Sequence, residues 1–357
     1  MIALLFVLIA IGIILETISL KRDPGKVDLD YAISAQCVEP GAPFKVQAII
    51  TNKSYVPVVY LEVEEVYPSE AEIPENMEYS PKRDGMYLSK KCRIGGRRRK
   101  KLTLETSIKK RGVHVFRSES IVLGDFLGFR EISKNISLSR EIVVYPERLE
   151  TGSLTDTVSG FCGDLASRRF LIRDPILTTG YREYTGREPM KDIHWLQSAH
   201  RGQLMVREFD YNRQLSACII LSVDNIGYSD DNILDRCCST ARTVCELIVG
   251  QGASVSFYTN SRLKRAEGIP VWSCSATAGH MGGLLEGLGR VSNYAGVSIE
   301  KLLEYALRES DFDSAFIVIL PTGDKRGGDA ADRLKKQTGR ELVVCYAGPA
   351  EEAQVLV

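Results

Sequence analysis

From Ile2 to Leu15 every residue is apolar or glycine, and Ile18 and Leu20 carry the run past Glu16. As a helix rising about 1.5 Å per residue, residues 2–20 would reach roughly 28 Å, close to the thickness of a bilayer's hydrocarbon core. A cleaved secretion signal would place basic residues ahead of the run and a small-x-small site after it. Here only Met1 precedes the run, and Glu16-Thr17-Ile18-Ser19-Leu20 ends it. Lys21, Arg22 and Lys26 follow immediately, so the positive-inside rule puts the remainder of the chain in the cytoplasm. The expectation for residues 1–20 is a single transmembrane anchor.

Beyond the anchor the apolar period changes to two. Phe44, Val46, Ala48 and Ile50 form one face, and Val59, Leu61 and Val63 another. Further runs at 102–108, 112–122 and 142–145 are separated by turn chemistry at Glu39-Pro40-Gly41-Ala42-Pro43, Thr51-Asn52-Lys53-Ser54 and Arg111-Gly112. Short strands without helical periodicity predict a β-sandwich of immunoglobulin-like architecture over residues 27–148. Cys37 and Cys92 have no tryptophan between them, so the immunoglobulin Cys-Trp-Cys signature is absent.

After Ala217 strands alternate with helices. Residues 217–223 form a continuous apolar strand ending at Asp224, the pattern of a strand buried on both faces. Leu234, Cys237, Ala241, Val244, Cys245 and Ile248 repeat at helical spacing up to Gly250 and Gly252. A strand around Val255 and Phe257 follows, then helices over 281–290 and 298–309, a strand over 315–320, a helix over 329–337 and a strand over 342–346. Such alternation predicts a doubly wound α/β domain over residues 211–357, whose ligands would gather at the strands' carboxyl ends. Asp224 and Asp324 lie at two such ends. The expected fold class is therefore α+β multidomain: an anchor, a β-sandwich, and a doubly wound domain joined to it by residues 149–210.

Composition narrows the function. In 357 residues, 46 basic side chains balance 46 acidic ones, which argues against a dedicated nucleic-acid binder. Nine cysteines, an odd set with no CxxC pair, fit a reducing compartment better than a secreted disulfide framework. One local charge run stands out: Arg97, Arg98, Arg99, Lys100 and Lys101. It reads as a solvated hairpin flank or as a patch for anionic lipid headgroups. No aromatic residue interleaves with it in sequence, as a nucleic-acid platform would need.

The densest constellation lies between Arg182 and Asp210: Arg182-Glu183-Tyr184, Gly186-Arg187-Glu188, Lys191-Asp192, His194-Trp195, His200-Arg201 and Arg207-Glu208-Phe209. Alternating arginines and carboxylates around a tryptophan suit an ion network that clamps this segment onto the α/β domain. Arg, Tyr and Trp are equally the residues of a partner-docking surface. His194 and His200, six apart, miss the spacing that puts two ligands on one helix face. No nucleophile elbow, P-loop or dinucleotide fingerprint occurs.

At this segment the chain resembles the bacterial DUF58 family. Arg182, Tyr184, Gly186, Ile193, Trp195, Ser198, Ala199 and Arg207 fall on that family's signature. Gly124-Asp125-Phe126-Leu127-Gly128-Phe129 resembles its upstream turn, and Val143-Val144-Tyr145-Pro146 a strand end. Arg187, Lys191, His194 and His200 depart from the pattern, so the resemblance is to a divergent member. It implies a membrane segment, a β-domain and a von Willebrand factor A-like domain, in that order. It also implies partnership with a MoxR-type AAA+ ATPase in chaperone-like assembly of other complexes.

The corresponding metal loop of von Willebrand factor A-type domains is DxSxS, but Ile226 and Tyr228 stand where both hydroxyls would be. Asp224 and Asp324, with Ser222, Ser229 or Thr322 nearby, are left as weak Mg²⁺ candidates. The leading expectation is a non-enzymatic, single-pass membrane scaffold or adaptor facing the cytoplasm, with no cofactor. A metal-dependent hydrolase at the rim and an extracellular adhesion module are the alternatives.

Overall fold

A computed structural model describes residues 24–75, 77–125, 130–149, 178–186, 188–209, 216–227, 230–264, 269–310, 314–340, 342–347 and 355–356, with isolated positions in 10–17 and 152–163. The expected anchor and the sequence 126–129 lie outside the described residues, apart from isolated positions in the former. Among the described residues no helix is long and apolar enough to cross a membrane. The protein is a mixed α and β, multi-sheet molecule. Its chain divides into two compact units, Met1–Glu147 with Leu285–Arg290, and Arg148–Leu284 with Val291–Val357.

The first unit holds ten strands: β1 (Val27–Ile33), β2 (Cys37–Val38), β3 (Phe44–Asn52), β4 (Val58–Tyr67), β5 (Ala71–Glu72), β6 (Tyr79–Lys82), β7 (Gly85–Ile94), β8 (Arg99–Ile108), β9 (Gly112–Gly124) and β10 (Glu131–Val144). They form one sheet in the order β1-β3-β8-β5 and another in the order β2-β10-β9-β4-β7-β6. One apolar core lies between the sheets. Phe44, Val46, Ala48, Ile50, Leu104 and Ile108 enter from the first, Leu61, Val63, Phe116, Ile121 and Ile142 from the second. Period-two alternation creates this face, because successive strand side chains point to opposite sides.

Val59 departs from the expected pattern. It is exposed while Val58 is buried, because a register shift between Val58 and Leu61 against β7 moves the inward phase by one residue. From Leu61 the inward phase runs through Val63 to Glu65 and Tyr67, so a carboxylate enters the core. On β7 the same alternation turns Lys90 inward between Leu88 and Ile94.

In the second unit, β11 (Thr178–Glu183) pairs antiparallel with β12 (Met205–Phe209) around a short helix α1 (Trp195–Arg201). A six-stranded sheet follows. Its strands are β13 (Ser216–Leu221), β14 (Ser254–Thr259), β16 (Trp272–Ala276), β18 (Ala315–Pro321), β19 (Leu342–Ala347) and β20 (Val355–Leu356). The order is β16-β14-β13-β18-β19-β20, with four central parallel strands and antiparallel edges. A small ladder of β15 (Ser261–Leu263) and β17 (Val291–Ala295) stands apart from it.

The helices are α2 (Asp231–Gly250), α3 (Gly282–Arg290), α4 (Ile299–Glu309) and α5 (Lys325–Thr338). Buried Ile299, Leu302, Leu303 and Ala306 of α4, and Ala330, Ala331 and Leu334 of α5, cover Cys218, Ile220, Phe316, Val318 and Leu320 on one sheet face. Helix α2 contacts β13 and β18 through the helical repeat read from the sequence. Helix α5 begins at Lys325, four residues before the expected start at Asp329. The Asp324 side chain caps it, accepting the Gly327 N–H at 3.0 Å.

Candidate functional site

Two regions carry the residues singled out by sequence. The first is the rim where β13 and β18 end. A non-Pro residue leaving a parallel strand exposes backbone donors, and here side chains satisfy them. Asp224 Oδ2 accepts the Ile299 N–H at 2.7 Å, tying the start of α4 to the end of β13. Its Oδ1 accepts from the Asn260 amide at 3.1 Å. Asn260, wholly buried, also accepts the Val223 N–H at 3.0 Å and donates to the Val297 carbonyl at 3.0 Å. Asn225 sits in the left-handed region at φ 63°, where asparagine is better tolerated than most residues, and donates to Asp324 Oδ1 at 2.8 Å.

The rim thus brings Asp224 and Asp324 together through Asn225. Burial, and secondarily the Asp324 charge, push the Asp224 carboxyl up. Beside it, Arg326 clasps Glu300 with two bonds of 2.9 and 3.2 Å and holds that carboxyl at about 2. A cleft of about 380 Å³ opens here, lined by Asp224, Asn225, Gly296, Ser298 and Arg326 among others.

The donor set does not fit a magnesium ion. Both Asp224 oxygens and Asp324 Oδ1 are spent on amides, and Ile226 is buried where a hydroxyl ligand would be. Asp324 Oδ2 is buried without a partner among the described residues, a single oxygen against the several that Mg²⁺ gathers. Among the described residues no cluster of three His, Cys, Asp or Glu side chains is placed to hold a metal. Ser229 and Tyr228 lie outside the described residues. Nothing in the sequence reading marked Asn225 or Asn260. For Asn260 a weak signal was present, since an asparagine directly after a strand often binds nearby backbone, but its partners lie far off in sequence.

The second region is the segment 178–209. Ser198 is its hub: the buried hydroxyl donates to the His194 carbonyl at 2.9 Å and accepts the Met205 N–H at 2.8 Å, joining α1 to β12. His194 Nδ1 caps α1 by accepting the Gln197 N–H, and its ring packs on Tyr181 with centroids 4.7 Å apart. Gly202, at φ 70°, closes the helix in the left-handed conformation.

Arg182 reaches Glu188 at 2.6 Å, and Thr185 offers that carboxylate both its N–H and its hydroxyl. Chiefly through the Thr185 hydroxyl, with Arg182 next among the favourable bonds, the Glu188 carboxyl is held at about 2. Tyr184 donates its backbone N–H to Leu204, and Gly186 takes a φ of 88° in the following turn. Asp192 is buried, Arg207 is exposed on β12, and Arg187 lies outside the described residues.

Of the expected network, the ion pair Arg182–Glu188 is formed between described residues of this segment. Elsewhere in the segment several large apolar side chains are exposed. Trp195 is 62% exposed, Leu196 68%, Met190 68% and Leu204 43%. Lys191, His200, Arg201 and Arg207 are exposed in the same segment.

The basic run spans the end of the turn from β7, with Arg97 and Arg98, and the start of β8, with Arg99, Lys100 and Lys101, rather than forming one even patch. Arg97, at φ 48°, stacks its guanidinium 4.0 Å from the centre of the Tyr55 ring, supplying in space the aromatic that the sequence did not interleave. Lys100 folds back to the Arg93 carbonyl at 3.3 Å, while Arg98, Arg99 and Lys101 remain exposed.

No family model matches the chain, and no curated protein does. Among solved structures, a cohesin module from a family 33 glycoside hydrolase of Clostridium perfringens is 15% identical, with a TM-score of 0.25, covering 33% of this chain and 95% of that module. A CARDB domain from Pyrococcus furiosus is 14% identical, with a TM-score of 0.23, covering 33% and 88%. A type II cohesin from Acetivibrio cellulolyticus is 10% identical, with a TM-score of 0.25, covering 33% and 95%. TM-scores this low do not establish a shared fold.

Proposed function

We propose that this protein is a membrane-anchored, cytoplasm-facing adaptor that engages a partner protein through the surface of segment 178–209. In this reading its sandwich is immunoglobulin-like and its α/β unit von Willebrand factor A-like. The partner suggested by the resemblance is a MoxR-type AAA+ ATPase engaged in assembling other complexes. One observation carries the reading. Trp195, Leu196 and Met190 stand more than half exposed on a scaffold fixed by the Ser198 bonds. Exposed tryptophan with flanking aliphatic and cationic side chains, on a rigid support, is the composition of an interface hot spot.

The rim supports the reading from the other side. Its carboxylates are engaged in tying α4 and α5 to the sheet, an architectural employment.

The test is co-purification of the detergent-solubilised full chain with such an ATPase, with and without nucleotide. Trp195→Ala with Leu196→Ala should lower recovery by at least about tenfold, because truncating a hot-spot anchor costs about 2 kcal/mol or more. Unchanged recovery by that variant, together with loss on Asp224→Ala, would move the docking surface to the rim. No association under any nucleotide condition would defeat the ATPase partnership.

A further inference from the structure

Lys26 and Val27, where β1 begins, are joined to the basic turn through the 53–56 loop. Lys53 donates its backbone N–H to the Lys26 carbonyl at 2.8 Å. In the same loop Ser54 accepts the Arg97 N–H at 2.7 Å, and the Asn52 N–H reaches the Arg98 carbonyl at 2.9 Å. The Asn52 side chain locks the two loops further, donating to Val56 and Gly95 carbonyls at 2.9 and 3.1 Å. Gly96 completes the fit, since a Cβ there would collide with the Tyr55 carbonyl. The chain's entry, the 53–56 loop and the 95–98 turn are therefore one hydrogen-bonded face.

That face is chemically lopsided. Tyr55 is 77% exposed, the most exposed large apolar side chain among the described residues. Arg97 lies on its ring, and the next two residues, Arg98 and Arg99, are exposed, none of the three with a carboxylate partner among the described residues. The acid found here, Asp28, is taken by Lys53 at 2.5 Å. Lys134 adds a cation, held to the Val27 carbonyl at 3.0 Å.

From Leu20, where the apolar run ends, to Lys26 is a tether of six residues, at most about 20 Å long. Whatever surface the run enters lies within reach of Tyr55 and Arg98. We infer that this end of the sandwich docks flat on an anionic bilayer. Arg97, Arg98 and Arg99 face lipid phosphates or carboxylates, and Tyr55 sits at headgroup depth, where amphipathic rings concentrate.

The inference rests on the anchoring reading but differs from it in consequence. A tethered sandwich could tumble on six residues, whereas a docked one is oriented, with the 53–56 and 95–98 loops facing lipid. The source of negative charge is taken to be lipid because the tether delivers the face to a membrane.

The experiment uses the full chain in nanodiscs of phosphatidylcholine alone and of phosphatidylcholine with 30% phosphatidylserine, each with brominated acyl chains as quencher. A Tyr55→Trp variant reports docking as quenching beyond that of the unsubstituted chain, whose Trp195 and Trp272 give the background. Carbonate extraction from liposomes reads anchoring separately. Strong extra quenching is expected with phosphatidylserine only. It should fall to the neutral-lipid level in 1 M salt, where the Debye length is about 3 Å. Arg97→Gln with Arg98→Gln should lower the docked-to-free ratio about twenty-five-fold, at roughly fivefold per cation.

Equal quenching in both lipids, or none in a carbonate-resistant chain, overturns the docking and leaves the anchor. Extraction by carbonate with quenching retained overturns the anchor and leaves the docking. Loss of quenching on adding inorganic tripolyphosphate at matched ionic strength would assign the cations to soluble polyanions instead, overturning the bilayer as occupant.

Discussion

Lys90→Met is the sharpest perturbation the sandwich offers. Glu65 and Lys90 lie inside the core, with side chains 0% and 6% exposed and Nζ to Oε2 at 2.5 Å. The Tyr67 hydroxyl donates to the same carboxylate oxygen at 3.0 Å and accepts from Lys90 at 3.1 Å. Glu65 Oε1 has no partner among the described residues. Burial raises the Glu65 carboxyl despite the adjacent ammonium. Removing the lysine leaves a buried carboxylate with a tyrosine as its only ally, and breaking such a pair costs about 3–5 kcal/mol.

Because the chain has two units, the readout must be local: hydrogen exchange of β4 and β7 peptides in the detergent-solubilised full chain. Amides that open only with the whole sandwich should exchange roughly a hundredfold to a few thousandfold faster in Lys90→Met. The sign with pH follows from the raised carboxyl. Near neutral pH the variant must bury a charge or take up a proton, and below the ordinary glutamate range of about 4.3 both folded and unfolded forms hold it. The deficit should therefore shrink as pH falls and grow as it rises. Glu65→Leu with Lys90→Met removes both charges and should recover most of the loss. A single variant less than about 1 kcal/mol unstable, or a double variant as unstable as the single, refutes the reasoning.

Three further outcomes are expected. Ser198→Ala orphans the Met205 N–H and should destabilise the 194–206 region by about 1–3 kcal/mol, read as faster exchange of those amides with β13 unaffected. Asp324→Ala removes the cap of α5 and the partner of Asn225, costing about 0.5–2 kcal/mol by local exchange of α5, whereas Asp324→Asn should keep much of it. The Thr185 amide resonance should titrate with Glu188 near a pH of about 2 in the native chain. Since that carboxyl is lowered, its stabilising contribution is present above the ordinary glutamate range and lost as pH falls toward 2; a midpoint near 4 would refute the Thr185–Arg182 clasp.

Much of the architecture could be read from periodicity because burial imposes it. The strands at 44–50, 102–108 and 112–122 and the helices at 234–248 and 298–309 lie where the apolar phase put them. Val59 could not be placed, because a register shift is a property of the pair of strands rather than of one. Glu65 and Lys90 were within reach, being in phase with Val63 and Leu88, but charged residues are rarely assigned to a core. At the rim, sequence brought forward Asp224 and Asp324. It could not tell that Asn260 and Asn225 would bind them into a scaffold, since those contacts span 36 and 99 positions. Trp195 illustrates the converse: tryptophan in a dense motif suits a clamp or a docking surface, and its exposure is visible only in three dimensions.

Three of the four outer strands of the sandwich sheets are of a particular kind, the exception being the seven-residue β1. β2 and β5 are two residues long, and β6, exposed throughout, carries Pro81 and Lys82. A proline offers no amide to a newcomer, and a lysine must be stripped of water before a neighbouring strand can zip alongside. Crowded copies sharing a plane would thus find little purchase for strand exchange at β6. At that edge self-assembly is steered toward side-chain recognition, which is reversible, and away from cross-β polymerisation, which is not.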